Sequence, residues 1–312
     1  MSGVKKSKEE KDAGCDNSCG GFGNHAVADT AGNSYNGGAF DAKPKRSGIA
    51  RSIRYVKEQG LYGEFDDLEK EEIVIPSHDQ YELHGFYIPA KKDGNRYVVI
   101  THGITDTCYG SIRYANFYHR LGCHVVIYDL RNHGVNKKTY TTMGIRESGD
   151  LRAVIEYVRR RFGESVFLGI HGESLGSATS VLCLDDGLNL NFCVADCGYS
   201  DLLELMTYLV KEVYHVPAFF IPLGNKLVKL FYHYSFSEIK PVENIKKNHT
   251  PILFIHGASD TYIPCSMSQA MYDANPGYKE IYFFKGAGHA MSIASDPKRY
   301  YNVLESFLGR VR

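Results

Sequence analysis

The chain has no excess charge of either sign: 36 Lys and Arg balance 36 Asp and Glu over 312 residues. Nucleic-acid phosphates are bound through clustered basic charge, so this balance argues against nucleic acid as a partner. No apolar run approaches the roughly 18 residues that suggest a membrane-spanning helix, so no transmembrane segment is expected. The opening residues, MSGVKKSKEEKDAGCDNSCGG, carry lysines but no apolar stretch behind them. A secretory signal needs that stretch, and a cytoplasmic location is therefore the expectation. Without export, the eight cysteines read as reduced thiols, not as a disulfide framework. Metal-binding spacings such as H-E-x-x-H are missing, and no metal site is expected.

Large apolar residues are scarce over residues 1–47, which are rich in Gly, Asn, Asp, Ser and Lys. Such a segment cannot bury enough surface to offset its ordering entropy, and it reads as a flexible tail. Gly21 to Ala26 fits a G-x-G-x-x-A pattern, but no strand precedes it and no helix follows, so no dinucleotide site is inferred. Cys15, Cys19 and His25 lack a second ligand pair at a metal-binding spacing.

From residue 48 to residue 312 the pattern is that of one α/β domain. EEIVIPS and YELHGFYIP read as two strands around a turn. RYVVITHG, CHVVIYD, SVFLGIHG, NFCVAD, PILFIHG and EIYFFKG are short apolar runs that read as further strands. Helical segments alternate with them; Leu151, Val154, Ile155 and Val158 mark one apolar helix face. Apolar strands alternating with amphipathic helices predict a mostly parallel twisted sheet covered on both faces. In such a sheet, chemistry sits at the carboxyl ends of the strands. Catalytic groups should therefore follow the apolar runs directly.

Three residues meet that demand. Ser174 follows VFLGI in Gly172-Glu173-Ser174-Leu175-Gly176 and precedes a helix-like run. A strand, a sharp turn and a helix make a nucleophile elbow, and its glycines leave room where a Cβ would clash. His289 lies on the Gly-rich loop after EIYFF, where a neutral imidazole can take the serine proton. Asp260 follows PILFIHG and can fix the imidazole tautomer and stabilise its charged form. Two backbone N–H groups are expected to form an oxyanion hole: that of Leu175, after the nucleophile, and that of Ile104, after YVVITHG. His102 and His171 read as structural neighbours. Asp129 and Arg131, in YDLRNHG, are expected to pair with each other and lock their loop.

THGITDT, YDLRNHG, GIHGESLG, PILFIHGASDTYIP and GAGHAMS together resemble the motifs of the α/β-hydrolase superfamily, over about residues 70 to 312. The resemblance is nearest to lid-poor bacterial esterases and to S33- or S9-type peptidases. It implies an α/β-hydrolase fold and a triad of Ser174, Asp260 and His289, with Ile104 and Leu175 as oxyanion donors. Asn132 departs from the pattern, since many relatives carry Gly there; the effect is expected to stay within the loop.

Residues 200–248 lie where such proteins insert lids, and here the segment is short and aromatic-rich. It reads as a small cap, with most aromatics packing on the sheet. Tyr199, Phe219 and Phe220 are the candidates for lining a substrate pocket. PAFFIPLG could touch a membrane surface but is too short to anchor the chain. The expected activity is hydrolysis of a small-molecule carboxylic ester, or a thioester, through an acyl-enzyme on Ser174, with no cofactor. The alternatives are an aminopeptidase-like amide hydrolase and a non-catalytic binding protein on the same fold.

Overall fold

The computed structural model describes residues 46–311 except 93 and 185. The tail features considered above, Cys15, Cys19, His25 and the glycine pattern at residues 21–26, lie outside the described residues. Eight strands form one sheet: β1 (Glu71–Pro76), β2 (Glu82–Ile88), β3 (Arg96–Thr101), β4 (His124–Tyr128), β5 (Phe167–Glu173), β6 (Phe192–Asp196), β7 (Ile252–Gly257) and β8 (Lys279–Phe284). Their order across the sheet is β1-β2-β4-β3-β5-β6-β7-β8. β1 and β2 form an antiparallel hairpin and β2 runs antiparallel to β4. From β4 to β8 all pairing is parallel. The expected α/β-hydrolase architecture is present, including the hairpin at one edge.

The central strands are buried on both faces, which is why they read as unbroken apolar runs. Side chains alternate between two cores. Val98 and Ile100 face one, with Val125, Ile127, Val194 and Ile255, beneath the helices Ile112–Arg120 and Pro297–Arg310. Val99 faces the other, with Val126, Leu168, Ile170 and Phe254, beneath the helices Ile145–Phe162 and Leu175–Cys183. Leu151, Val154, Ile155 and Val158 are all fully buried there, so the predicted helix stripe is the packed one. At 3 to 4 residues apart they share one helix face. The last helix starts where Asp296 accepts a hydrogen bond from the Arg299 N–H at 2.9 Å, with Pro297 at its first position.

Residues 199–236 contribute to a third cluster. Tyr199, Leu202, Leu205, Leu209, Val228, Tyr234 and Phe236 pack with Ala178, Ile263 and Met267. This apolar contact seats the helices Leu202–Tyr208 and Phe220–Tyr232 beside the helix that follows Ser174. Their outer side is not covered: Phe219 is 71% exposed, and Leu223, Leu230 and Phe231 are exposed too. Among the described residues, no helix is long and apolar enough to cross a membrane.

Two expectations about side chains do not hold. Asp129 and Arg131 do not pair. Asp129 accepts hydrogen bonds from the backbone N–H groups of Cys108 (2.7 Å) and Val135 (3.0 Å). Arg131 instead grips Asp150, through Nε at 2.7 Å and Nη2 at 2.5 Å, and reaches Asp79 at 3.2 Å. A buried guanidinium needs a carboxylate within reach of its planar fork, and Asp150 on the long helix meets it. Cysteine is the second case. Cys108, Cys123, Cys193 and Cys197 are buried free thiols, but Cys265 is disulfide-bonded. Asn132 takes φ of +67°, a conformation that costs glycine nothing, so the departure from the family pattern falls on a left-handed residue.

Candidate active site

Ser174 is held in an improbable backbone conformation, φ +55° and ψ −116°, between β5 and the helix Leu175–Cys183. A non-glycine residue there costs on the order of 1–3 kcal/mol and persists only where its surroundings fix it. The fixing is visible. The Ser174 N–H donates to the Asp196 carbonyl at 2.9 Å, and the Ser174 carbonyl accepts from the Ala178 N–H at 3.1 Å. The glycines on either side permit close approach. A Cβ on Gly172 would lie 2.1 Å from the Gly176 oxygen, and one on Gly176 would lie 2.1 Å from the Thr101 oxygen. Neither glycine has a positive φ, so the requirement is space.

The structure brings Ser174, His289 and Asp260 together. The Ser174 hydroxyl lies 2.9 Å from His289 Nε2, and His289 Nδ1 lies 2.7 Å from Asp260 Oδ2. A carboxylate can only accept, so Nδ1 carries the proton and Nε2 is left to accept from the serine. Asp260 is itself fixed. Its Oδ1 accepts from the N–H groups of Tyr262 and Ile263, both at 2.9 Å, and His256 Nε2 stands 3.2 Å from Oδ2. Burial opposes charge on Asp260, but hydrogen bonds from His256 and His289, with their charges, hold it well below the usual carboxylate range. For His289, removal from water opposes protonation, but the hydrogen bond and charge of Asp260 outweigh it, with Glu173 and Asp196 behind, and its pKa is raised.

Of the oxyanion candidates, Leu175 adjoins Ser174 in the chain and Ile104 lies on a turn packed near it. Leu175 is the first residue of its helix, so its N–H has no intrahelical acceptor. A Cβ on Gly103 would sit 3.3 Å from the Ser174 Cβ, which puts the Gly103–Ile104 turn against Ser174. His102 shapes this turn: its Nε2 accepts from the Leu130 N–H at 3.0 Å and its Nδ1 meets the Gly103 carbonyl at 2.7 Å. The pocket candidates lie apart. Tyr199 is buried, its hydroxyl donating to the Met143 carbonyl at 2.6 Å. Phe219 and Phe220 are exposed, their rings tilted against each other with centroids 4.2 Å apart. Among the described residues, no hydrogen bond or ring contact joins these three to Ser174 or His289. The aromatic ring beside the imidazole is that of Tyr262, at 5.2 Å, a residue the sequence reading passed over.

Sequence reading also missed a buried polar layer beneath the serine. Glu173 accepts from Arg113 Nη2 at 2.5 Å and from the Tyr114 hydroxyl. Asp196, at the end of β6, accepts from the Tyr300 hydroxyl at 2.8 Å, and its Oδ1 has no partner among the described residues. Burial, then the charge of Glu173, push the Asp196 carboxyl up to about 7. His171 lies among them, 3.0 Å from the Tyr118 hydroxyl, and burial followed by the Arg113 charge lowers its pKa to about 3, so it stays neutral. The available signal was a polar residue ending an otherwise apolar strand, as Glu173 and Asp196 do.

An eight-stranded, mostly parallel sheet with a serine elbow, and a histidine and an aspartate on later loops, defines a hydrolase of the α/β-hydrolase superfamily. Comparison with known proteins narrows this further. The chain belongs to the prolyl oligopeptidase family, whose model matches residues 113–311. It is similar to YqkD of Bacillus subtilis strain 168, at 32% identity over 254 residues, spanning 80% of this chain and 82% of that protein. It is also similar to alpha/beta hydrolase domain-containing protein 17C of Xenopus tropicalis, at 25% identity over 201 residues, 63% of this chain and 57% of that protein. Among solved structures, an esterase of Pyrococcus furiosus shares the fold with a TM-score of 0.66 at 23% identity, covering 82% of this chain and 94% of that one. The acylaminoacyl peptidase of Pyrococcus horikoshii does so with a TM-score of 0.60 at 20% identity, over 78% of this chain and 42% of that one.

Proposed function

We propose that this protein is a serine hydrolase that cleaves carboxylic esters through an acyl-enzyme on Ser174. The observation that carries the reading is the unbroken proton path from Ser174 Oγ to His289 Nε2 at 2.9 Å and from His289 Nδ1 to Asp260 Oδ2 at 2.7 Å. A serine hydroxyl is a weak nucleophile until a base takes its proton as it attacks. His289 takes that proton while Oγ bonds to the substrate carbonyl carbon, and Asp260 stabilises the imidazolium. The N–H groups of Leu175 and Ile104 receive the developing oxyanion; one such donor is worth roughly 3–4 kcal/mol. The intermediate collapses, His289 returns the proton to the departing alkoxide, and water activated by the same histidine releases the acid. Thioester cleavage uses the same steps. Tyr262, beside the imidazole, forms a wall for the leaving group in this reading, while Phe219 and Phe220 offer apolar surface to an acyl chain from the cap.

Amide cleavage is the second reading, favoured by membership of the prolyl oligopeptidase family. Reaction with a fluorophosphonate probe, wild type beside Ser174→Ala, tests the mechanism: only wild type should label. A folded wild type that does not label would favour the non-catalytic binding protein. Nitrophenyl esters of short and long acyl chains, acyl thioesters and aminoacyl amides then separate the substrate classes. Faster turnover of aminoacyl amides than of esters would overturn the esterase assignment and leave the nucleophile in place.

A further inference from the structure

Arg113 occupies the second position of the helix Ile112–Arg120, and its side chain is 1% exposed. Its guanidinium spans two loops that are distant in sequence. On one side Nη2 donates to Glu173 Oε2 at 2.5 Å, and Glu173 is the residue before Ser174. On the other, Nη1 donates to the Ala290 carbonyl at 3.3 Å, and Ala290 is the residue after His289. Ala290 holds a left-handed φ of +57°, so the histidine loop needs outside support at this point. The helix Arg46–Glu58 closes the outer side. Gln59, just beyond it, accepts from Arg113 Nη1 at 3.5 Å, and the Tyr55 ring lies 5.6 Å from the guanidinium. The same helix meets the turn after β3 and the histidine loop: Arg51 Nη2 donates to the Thr105 carbonyl at 2.5 Å, and the Tyr55 hydroxyl reaches Met291 Sδ at 3.2 Å.

From this arrangement we infer that Arg113 is a positioning residue, a buried strut that, anchored on Glu173, sets the separation between the serine elbow and the histidine loop. The inference rests on the hydrolase reading above. A buried ion pair gives little net stability over well-packed apolar side chains, so stability alone does not account for it. Geometry does. Only arginine offers a planar, permanently charged fork able to hold two acceptors in fixed directions; lysine supplies the charge but not the fork. Misplacement of a catalytic group by about 1 Å can cost on the order of 100-fold in rate.

The test uses the full chain with a nitrophenyl butyrate substrate, and compares wild type, Arg113→Lys, Arg113→Met and the double variant Arg113→Met with Glu173→Leu. The double variant removes both charges, so no unpaired charge is left buried, although the Tyr114 hydroxyl loses its Glu173 acceptor, and it keeps the comparison meaningful if Arg113→Met alone does not fold. The strut predicts that kcat falls by about 30- to 100-fold in the double variant while KM stays within about threefold, and that fluorophosphonate labelling slows in parallel. Arg113→Lys should fall between wild type and the double variant. A folded double variant with wild-type kcat would overturn the inference, since it would show that the pair only fills space. Failure of the wild type itself to turn over any ester or to label would instead sink the hydrolase reading, and the strut with it.

Discussion

Replacing Asp260 by asparagine changes one atom, and the surrounding donors dictate how the new side chain sits. Asp260 Oδ1 receives two backbone N–H groups, from Tyr262 and Ile263, each at 2.9 Å. An amide nitrogen placed there would face two donors, leaving buried groups unpaired at about 1–3 kcal/mol each. The asparagine therefore keeps its oxygen toward the backbone and turns its NH2 toward His289 Nδ1, which lies 2.7 Å from Oδ2 in the native protein. Nδ1 must then accept, and the ring proton moves to Nε2. Nε2 faces the Ser174 hydroxyl and can no longer take its proton. Folding is affected as well: His256 Nε2 loses its 3.2 Å contact to Oδ2 and keeps the Ile263 carbonyl at 2.9 Å.

The expected loss in kcat/KM is about 10³- to 10⁴-fold, roughly 4–5.5 kcal/mol of transition-state stabilisation. The assay is nitrophenyl ester hydrolysis as a function of pH, with thermal unfolding measured on the same samples. Wild-type kcat/KM should rise with pH as His289 loses its proton, with its inflection above the ordinary histidine value of about 6.5, because the imidazole pKa is raised. The linkage has a definite sign. A raised histidine contributes stability fully present below about pH 6.5 and lost as pH rises through its folded value. The depressed Asp260 contributes stability present above about pH 4 and lost as pH falls through its folded value. Asp260→Asn should remove both contributions. A folded variant within tenfold of wild type would refute the tautomer argument, since no other described group holds His289 Nδ1.

Asp196→Asn should change the pH dependence of stability without an orphaned charge. The folded carboxyl holds its proton up to about 7, whereas an unfolded one releases it near pH 4, so wild type should lose a few kcal/mol relative to the variant as pH rises from about 4 to about 7; parallel melting curves across that range would show Asp196 is not the group responsible. Gly176→Ala should lower Tm by roughly 4–10 °C, because the new methyl group would press on the backbone carbonyls of Thr101 and His102, which cannot rotate away as a side chain could. An unchanged Tm in calorimetry would mean that the elbow has more slack than its contacts indicate.

The strands and the meeting of Ser174, His289 and Asp260 were legible because both leave local marks. A strand buried on both faces must be apolar throughout, and a polar group beyond its end stands out against that run; Ser174, Asp260 and His289 each follow such a strand within a few residues of chain. What stayed illegible depends on encounters between distant segments. Arg131 was assigned to Asp129, two residues away, but its partners arrive from Asp150 and Asp79, 19 and 52 positions off. Arg113 reaches Glu173 across 60 positions and Ala290 across 177. The segment 200–248 shows the same limit. Its aromatic content announces packing, yet composition does not assign faces, and Tyr199 and Tyr234 are buried where Phe219 and Phe231 are exposed. The local signal did exist for one part of the hidden layer. Glu173 and Asp196 end the central apolar strands β5 and β6, and both carboxylates are buried there. Each must then be neutralised by a proton or met by a cation, and the chain uses both solutions side by side: a raised pKa at Asp196 and Arg113 at Glu173.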